Sequence, residues 1–132
     1  MTEKIEELLQ TPYWIVDILP KQVPKDSPGQ YFEIEKYLRE EQMKGIRQQH
    51  ADVILKLNCY RDIELDGERN PEPVRIAEAI HERTACILTG GAMILSEPDD
   101  THMTLFNPDE ELVGLIRNLA SAEGLFVWKP QA

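Results

Sequence analysis

The chain has 132 residues, 42% of them hydrophobic, with 24 acids against 14 bases for a formal net charge of −10. That length and composition fit one globular domain that can bury a core without staples, and two cysteines make no disulfide framework. The acidic balance argues against direct nucleic-acid binding, which needs Lys and Arg to displace counterions, and no apolar run approaches the ~20 residues of a membrane span. The acidic segment from Met1 to Glu7 also lacks the apolar stretch of a secretory signal, so a cytoplasmic protein is expected.

Thr2 is placed to cap a short helix with Ile5, Leu8 and Leu9 on one face, ended by Pro12. Tyr13 to Leu19 reads as a strand, apolar on both sides except at Asp17, and so interior to its sheet. A loop from Pro20 to Pro28 leads into a helix start, with Ser27 as N-cap and Pro28 at the first helical position. That helix is expected to run to about His50, with Tyr31, Ile34, Leu38 and Ile46 in register.

Val53, Leu55, Leu57, Cys59 and Ile63 alternate with polar or bulky neighbours, a period of two that predicts a half-buried strand. Asp66-Gly67 turns the chain, and Asn70-Pro71 opens a short helix carrying Val74, Ala77 and Ile80. A three-strand meander follows, over Ala85–Thr89, Ala92–Leu95 and Thr101–Phe106. Gly90-Gly91 is its hairpin signal, since both central positions of a type I′ turn need positive φ. Asn107-Pro108-Asp109-Glu110 opens the last helix, with Asn107 as cap and Pro108 at the first helical position, and its buried stripe is Leu112, Leu115, Ile116 and Leu119. Gly124 suits its left-handed C′ position, and Leu125 to Trp128 closes the sheet.

The fold expected is therefore a single α+β domain over residues 1–132. Its sheet is mainly antiparallel, with about five to six strands in the order α-β-α-β-α-β-β-β-α-β along the chain, and the helices pack on it.

Few residues carry a chemical signature. Asp62 to Gly67 mimics the start of an EF-hand calcium loop, but the twelfth position, where a bidentate Glu belongs, is Pro73. His50, His81 and His102 with Cys59 and Cys86 show no zinc spacing, and both cysteines read as small core hydrophobes. Cys59 has Arg61 two residues on and His50 on the preceding helix, but no nucleophile signature surrounds it. Gly90-Gly91 lacks the Lys-Ser/Thr of a phosphate loop.

Asp17 is the residue to watch. A carboxylate on a strand facing inward is either paired, for instance by Arg61 or Lys56, or sits at the rim of a cleft. Tyr31, Tyr37, Tyr60 and the tryptophans offer aromatic surface, with Trp14 and Trp128 expected in the core.

These features predict a non-enzymatic module that binds another protein, with no cofactor, no metal and no membrane. The partner is a basic protein if Glu97, Asp99 and Asp100 steer it, or a second copy in a homodimer. The alternative is a small enzyme or small-molecule-binding protein with a pocket near Asp17, Tyr60 and Arg61. A deep pocket with converging polar groups would favour the alternative.

Overall fold

The computed structural model describes residues 2–131, and of Thr2 the backbone alone, so the cap expected of the Thr2 side chain lies outside the described residues. The elements follow as α1 (Thr2–Leu8), β1 (Tyr13–Asp17), α2 (Tyr31–Glu41), α3 (Met43–Leu57), β2 (Glu64–Leu65), β3 (Glu68–Arg69), α4 (Pro73–Glu82), β4 (Ala85–Thr89), β5 (Ala92–Ser96), β6 (Met103–Phe106), α5 (Glu110–Ala122) and β7 (Phe126–Trp128). The seven strands form one antiparallel sheet in the order β3-β2-β4-β5-β6-β1-β7, so the α+β class and the packed helices are as expected.

Side chains alternate across the sheet, and its two faces are covered unequally. Val16, Ile87, Ile94 and Leu105 point to the face where Ile54 and Leu57 of α3, Ile76 and Ile80 of α4, and Leu112 and Ile116 of α5 complete the main core. The opposite face has a small cluster, Leu8 of α1 on Leu88, Met93 and Phe106. Asp17 belongs to this thinly covered face by alternation from Ile15, and its β7 neighbour is Phe126.

The meander and the last helix lie where expected, but the buried residues of α5 are Leu112, Val113, Ile116 and Ala120, with Leu115 and Leu119 half-buried, and two corrections fall at the turns. Gly90 has φ +57°, while Gly91 does not share that sign, so the β4–β5 turn follows the II′ pattern in which the first central residue alone needs positive φ. The type I′ signature falls instead at Asp66 (φ 53°) and Gly67 (φ 80°), between β2 and β3. The cap of α5 is Asp109 rather than Asn107, and the Asp109 carboxylate accepts from Leu112 N at 2.8 Å. Asn107 adopts φ 55° and donates from Nδ2 to Gly91 O at 3.0 Å, tying the α5 entry to the hairpin. Gly124 takes the left-handed conformation expected of it, φ 76°.

The middle of the chain differs more. The predicted strand beginning at Val53 is the second half of α3, and the sheet segments β2 and β3 come later and are short. Val53, Ile54 and Leu57 satisfy helical spacing with Ile46 and His50, and packing against α4 and α5 selects that period over the alternation. Cys59 consequently lies beyond the helix end and is exposed. The long helix expected from Pro28 to His50 is two helices, α2 and α3, broken at Gln42 (φ −121°, ψ 5°). The run Arg39-Glu40-Glu41-Gln42 holds no apolar residue to pin a continuous helix to the sheet. Ser27 does not cap α2; its Oγ accepts from Gly29 N at 3.3 Å, and α2 starts at Tyr31. In α4 the buried face is Ile76, Ala79 and Ile80, and Val74 points to solvent.

Candidate functional site

The C-terminal end of β1 opens into a cleft of about 490 Å³. Asp17 lies in it, with Trp128 of β7, Tyr31 and Phe32 of α2, and the 19–30 segment around it. Local chemistry builds this end. Asp17 Oδ1 accepts from Ile18 N at 2.8 Å, which turns the chain out of the sheet. Trp128 donates from Nε1 to Leu19 O at 3.1 Å, fixing the indole beside the exit. Gln22 accepts from Gln131 N at 2.7 Å and holds the segment against the chain's end.

Asp17 is 9% exposed and forms no salt bridge among the described residues. Burial pushes its carboxyl above the usual carboxylate range, against opposing pulls from the Ile18 N–H and the charge of His102. Next to it, Tyr31 donates to Glu35 Oε2 at 2.8 Å, and burial together with that carboxylate pushes the phenol up to about 12. The site is thus carboxylate and aromatic in character. It suits a cation or an apolar group with a donor.

The same end of the sheet holds a buried polar node that sequence reasoning missed. Arg47 on α3 is 2% exposed, and it donates from Nε and Nη2 to Ile80 O, from Nη1 to Glu97 O at 2.6 Å, and from Nη2 to Ser96 Oγ at 2.9 Å. His50 Nδ1 accepts from Arg47 Nη1 at 3.2 Å, which assigns the ring proton to Nε2. That Nε2–H faces the Thr101 backbone without reaching hydrogen-bond geometry. Burial and the neighbouring guanidinium push the imidazole down to about 3, so His50 is neutral. Arg47 therefore knits α3, α4 and the β5–β6 turn together. The legible signal was phase: Arg47 and His50 lie in helical register with Ala51, Ile54 and Leu57.

The expected site residues divide between the two ends of the sheet. Glu97, Asp99 and Asp100 are on the β5–β6 turn, at the Asp17 end. Glu97 lends its carbonyl to Arg47, and Asp99 borders a groove with Lys36, Arg39 and Met43 at the α2–α3 junction. Tyr60 and Arg61 are at the other end. Arg61 lies beside Gly90 and reaches Asp109 at 3.8 Å and Glu111 at 3.9 Å. The length of β1, about 13 Å, separates those ends, so no single pocket joins Asp17, Tyr60 and Arg61. The expected pairing of Asp17 with Arg61 or Lys56 does not form, and Lys56 instead bonds Glu123 across to α5.

Tyr60 is 70% exposed, and the tryptophans are half-buried rather than core. Trp14 lies under the Arg117 guanidinium, and Trp128 lines the cleft. Asp62 accepts from Arg69 at 2.6 Å and Asn70 at 2.9 Å, which holds its carboxyl below the usual range and accounts for its place in the EF-hand-like run. Among the described residues no three His, Cys, Asp or Glu side chains are grouped to hold a metal ion, and no helix is long and apolar enough to cross a membrane. No protein-family model matches the chain, and no curated protein or solved structure is detectably similar to it.

Proposed function

We propose that this chain is a protein-binding module whose contact face is α2 with the adjoining acidic turn, Glu97 to Asp100. The observation that carries the reading is that α2 buries none of its eleven residues. Tyr31, Ile34, Tyr37 and Leu38 form one apolar stripe at helical spacing, yet only part of it faces the sheet. Ile34 is 53% exposed, Tyr37 57% and Phe32 80%. Aromatic and aliphatic side chains left open along a helix are the usual anchors of helix-mediated recognition.

Charge narrows the partner. Glu33, Glu35, Glu40 and Glu41 outnumber Lys36 and Arg39 on α2, and Glu97, Asp99 and Asp100 add to the same side. A basic protein complements that face. A second copy presenting it would meet like charge, which disfavours the homodimer.

The test is parallel affinity capture from native lysate with the wild type, the Ile34→Glu/Tyr37→Glu variant and an Arg61→Ala control. A basic partner held by the wild type and the control but lost by the α2 variant, at unchanged melting temperature, supports the reading. Reversal of Glu97, Asp99 and Asp100 to Lys should then slow association several-fold, and added salt should do the same. A partner retained by the α2 variant removes α2 from the contact.

A further inference from the structure

We propose that the Asp17 cleft is a binding site for a guanidinium group, held by the Asp17 carboxylate and stacked among Trp128, Tyr31 and Phe32. The proposal stands whether or not α2 docks a protein, because the cleft has its own geometry. Three observations carry it.

The first is an electrostatic debt. Asp17 is nine-tenths buried, but no Lys or Arg pairs with it among the described residues. Its Oδ1 takes the Ile18 N–H, and the Leu19 N–H and the Trp128 indole also pull on the carboxylate, but all of these are neutral donors. The contrast is Arg47, a comparably buried charge on the same end of the sheet, which places its donors on three acceptor residues and His50. A buried carboxylate left without a cation is costly, and the cost is recovered when a cation arrives.

The second is the shape and lining of the space in front of it. The cleft, about 490 Å³, lies in the range that accepts a whole small molecule or a long side chain. Trp128 is pinned by its bond to Leu19 O, and Tyr31 by its bond to Glu35. These rings are fixed in place before anything binds. Phe32, 80% exposed, stands at the mouth. An apolar, aromatic wall next to a carboxylate favours a flat, weakly hydrated cation over a compact, strongly hydrated ammonium.

The third is the remaining charge around the cleft. Its lining has two acids, Asp17 and Glu33, against the single Lys25, so the site stays negative with its own lysine in place. His102, which offsets part of the Asp17 charge, is not among the lining residues.

The guanidinium can come from a free small guanidine or from an arginine side chain of a protein. Titration calorimetry with N-butylguanidinium, with the uncharged isostere N-butylurea and with an acetyl-Gly-Arg-Gly-amide peptide separates the cases. Chemical shifts of the Trp128 indole N–H report whether binding occurs at the cleft. The expected result is saturable binding of butylguanidinium, at least tenfold tighter than butylurea, weakened at least tenfold by Asp17→Asn and a few-fold by Phe32→Ala. Tighter binding of the peptide than of butylguanidinium identifies a protein arginine as the natural occupant, and the reverse identifies a free guanidine. Glu82→Gln, exposed on α4 and outside the cleft, should leave the affinity unchanged. Equal binding of guanidinium and urea, binding insensitive to Asp17→Asn, or no saturable binding of either cation overturns the proposal. Each variant's melting temperature is measured alongside, and Phe32→Ala alters an exposed residue, so the test does not depend on a variant that fails to fold.

Discussion

Helices α2 and α3 follow one another with only Gln42 between them, and each has an apolar stripe, yet they do opposite things in the molecule. α3 buries seven residues, including Ile54 and Leu57 in the main core and Arg47 and His50 in the polar node. α2 buries none, and a void of about 30 Å³ lies between its Tyr31, Ile34 and Leu38 and the end of the sheet at Asp17 and Thr101. The stripe of α3 joins the main core together with α4, α5 and the sheet, whereas that of α2 meets the end of one strand and a turn. The difference separates the residues that make the fold from those free to do something else. A helix held by so little contact contributes little to stability, and functional elements are drawn from that end of the range.

The largest test of the comparison is Arg47→Met. It strips donors from Ile80 O, Glu97 O and Ser96 Oγ together, and a cost of about 3 kcal/mol or more is expected in urea melts. Leu57→Ala, at a fully buried position, should cost about 2–5 kcal/mol. A small loss in both would mean that α3 is not the element that holds the domain together.

The node also sets a pH dependence. His50 is pushed from 6.5 to about 3 in the folded chain, so its contribution is complete above pH 6.5. As pH falls below 6.5 the unfolded chain takes up a proton that the folded chain refuses. Stability should drop by up to about 1.4 kcal/mol per pH unit until the folded value is reached. His50→Gln should flatten that slope, as read by melts between pH 7 and 4. Asp17 works in the opposite sense. Its folded pKa lies above 3.8, so the burial penalty is absent in strong acid, grows as pH rises through the window above 3.8, and is complete once pH passes the folded pKa. Asp17→Asn should therefore raise the melting temperature at pH 7 and have less effect near pH 3. A destabilised Asn variant at pH 7 would show that the carboxylate is needed by the fold rather than free for a ligand.

The smallest effects belong to α2. Ile34→Ala and Tyr37→Ala should each change stability by no more than about 0.5 kcal/mol. Losses as large as those from α3 would erase the distinction between the two helices.

How far the sequence could be read follows the same division. The β4–β5–β6 meander and α5 were legible, because turn residues and apolar spacing there are local and agree with each other. The second half of α3 was not. Val53, Leu55 and Leu57 alternate like a strand, and the helical alternative runs through His50 and Arg47, which carry no apolar signal. Asp17 was legible as an inward-facing carboxylate on a strand, but its surroundings were not. Tyr31 and Trp128 reach it from fourteen and more than a hundred residues away, and Leu19 O, which fixes the indole, is a backbone atom. Tyr60 and Arg61 were grouped with Asp17 on the assumption that residues 53–64 form a neighbouring strand. With Val53 to Leu57 helical and the chain turning beyond them, they fall at the far end of the sheet.

The most direct test of the division is native-state hydrogen exchange on both helices in one sample. Amides in the middle of α3, from Ala51 to Leu57, should exchange only through global unfolding, with protection that follows the stability measured by urea. Amides of α2 from Glu35 to Glu41 should exchange through a smaller opening, with protection lower by at least about tenfold and insensitive to low urea. Equal protection of the two helices, with the same urea dependence, would contradict the account, because α2 would then be as much a part of the cooperative fold as α3.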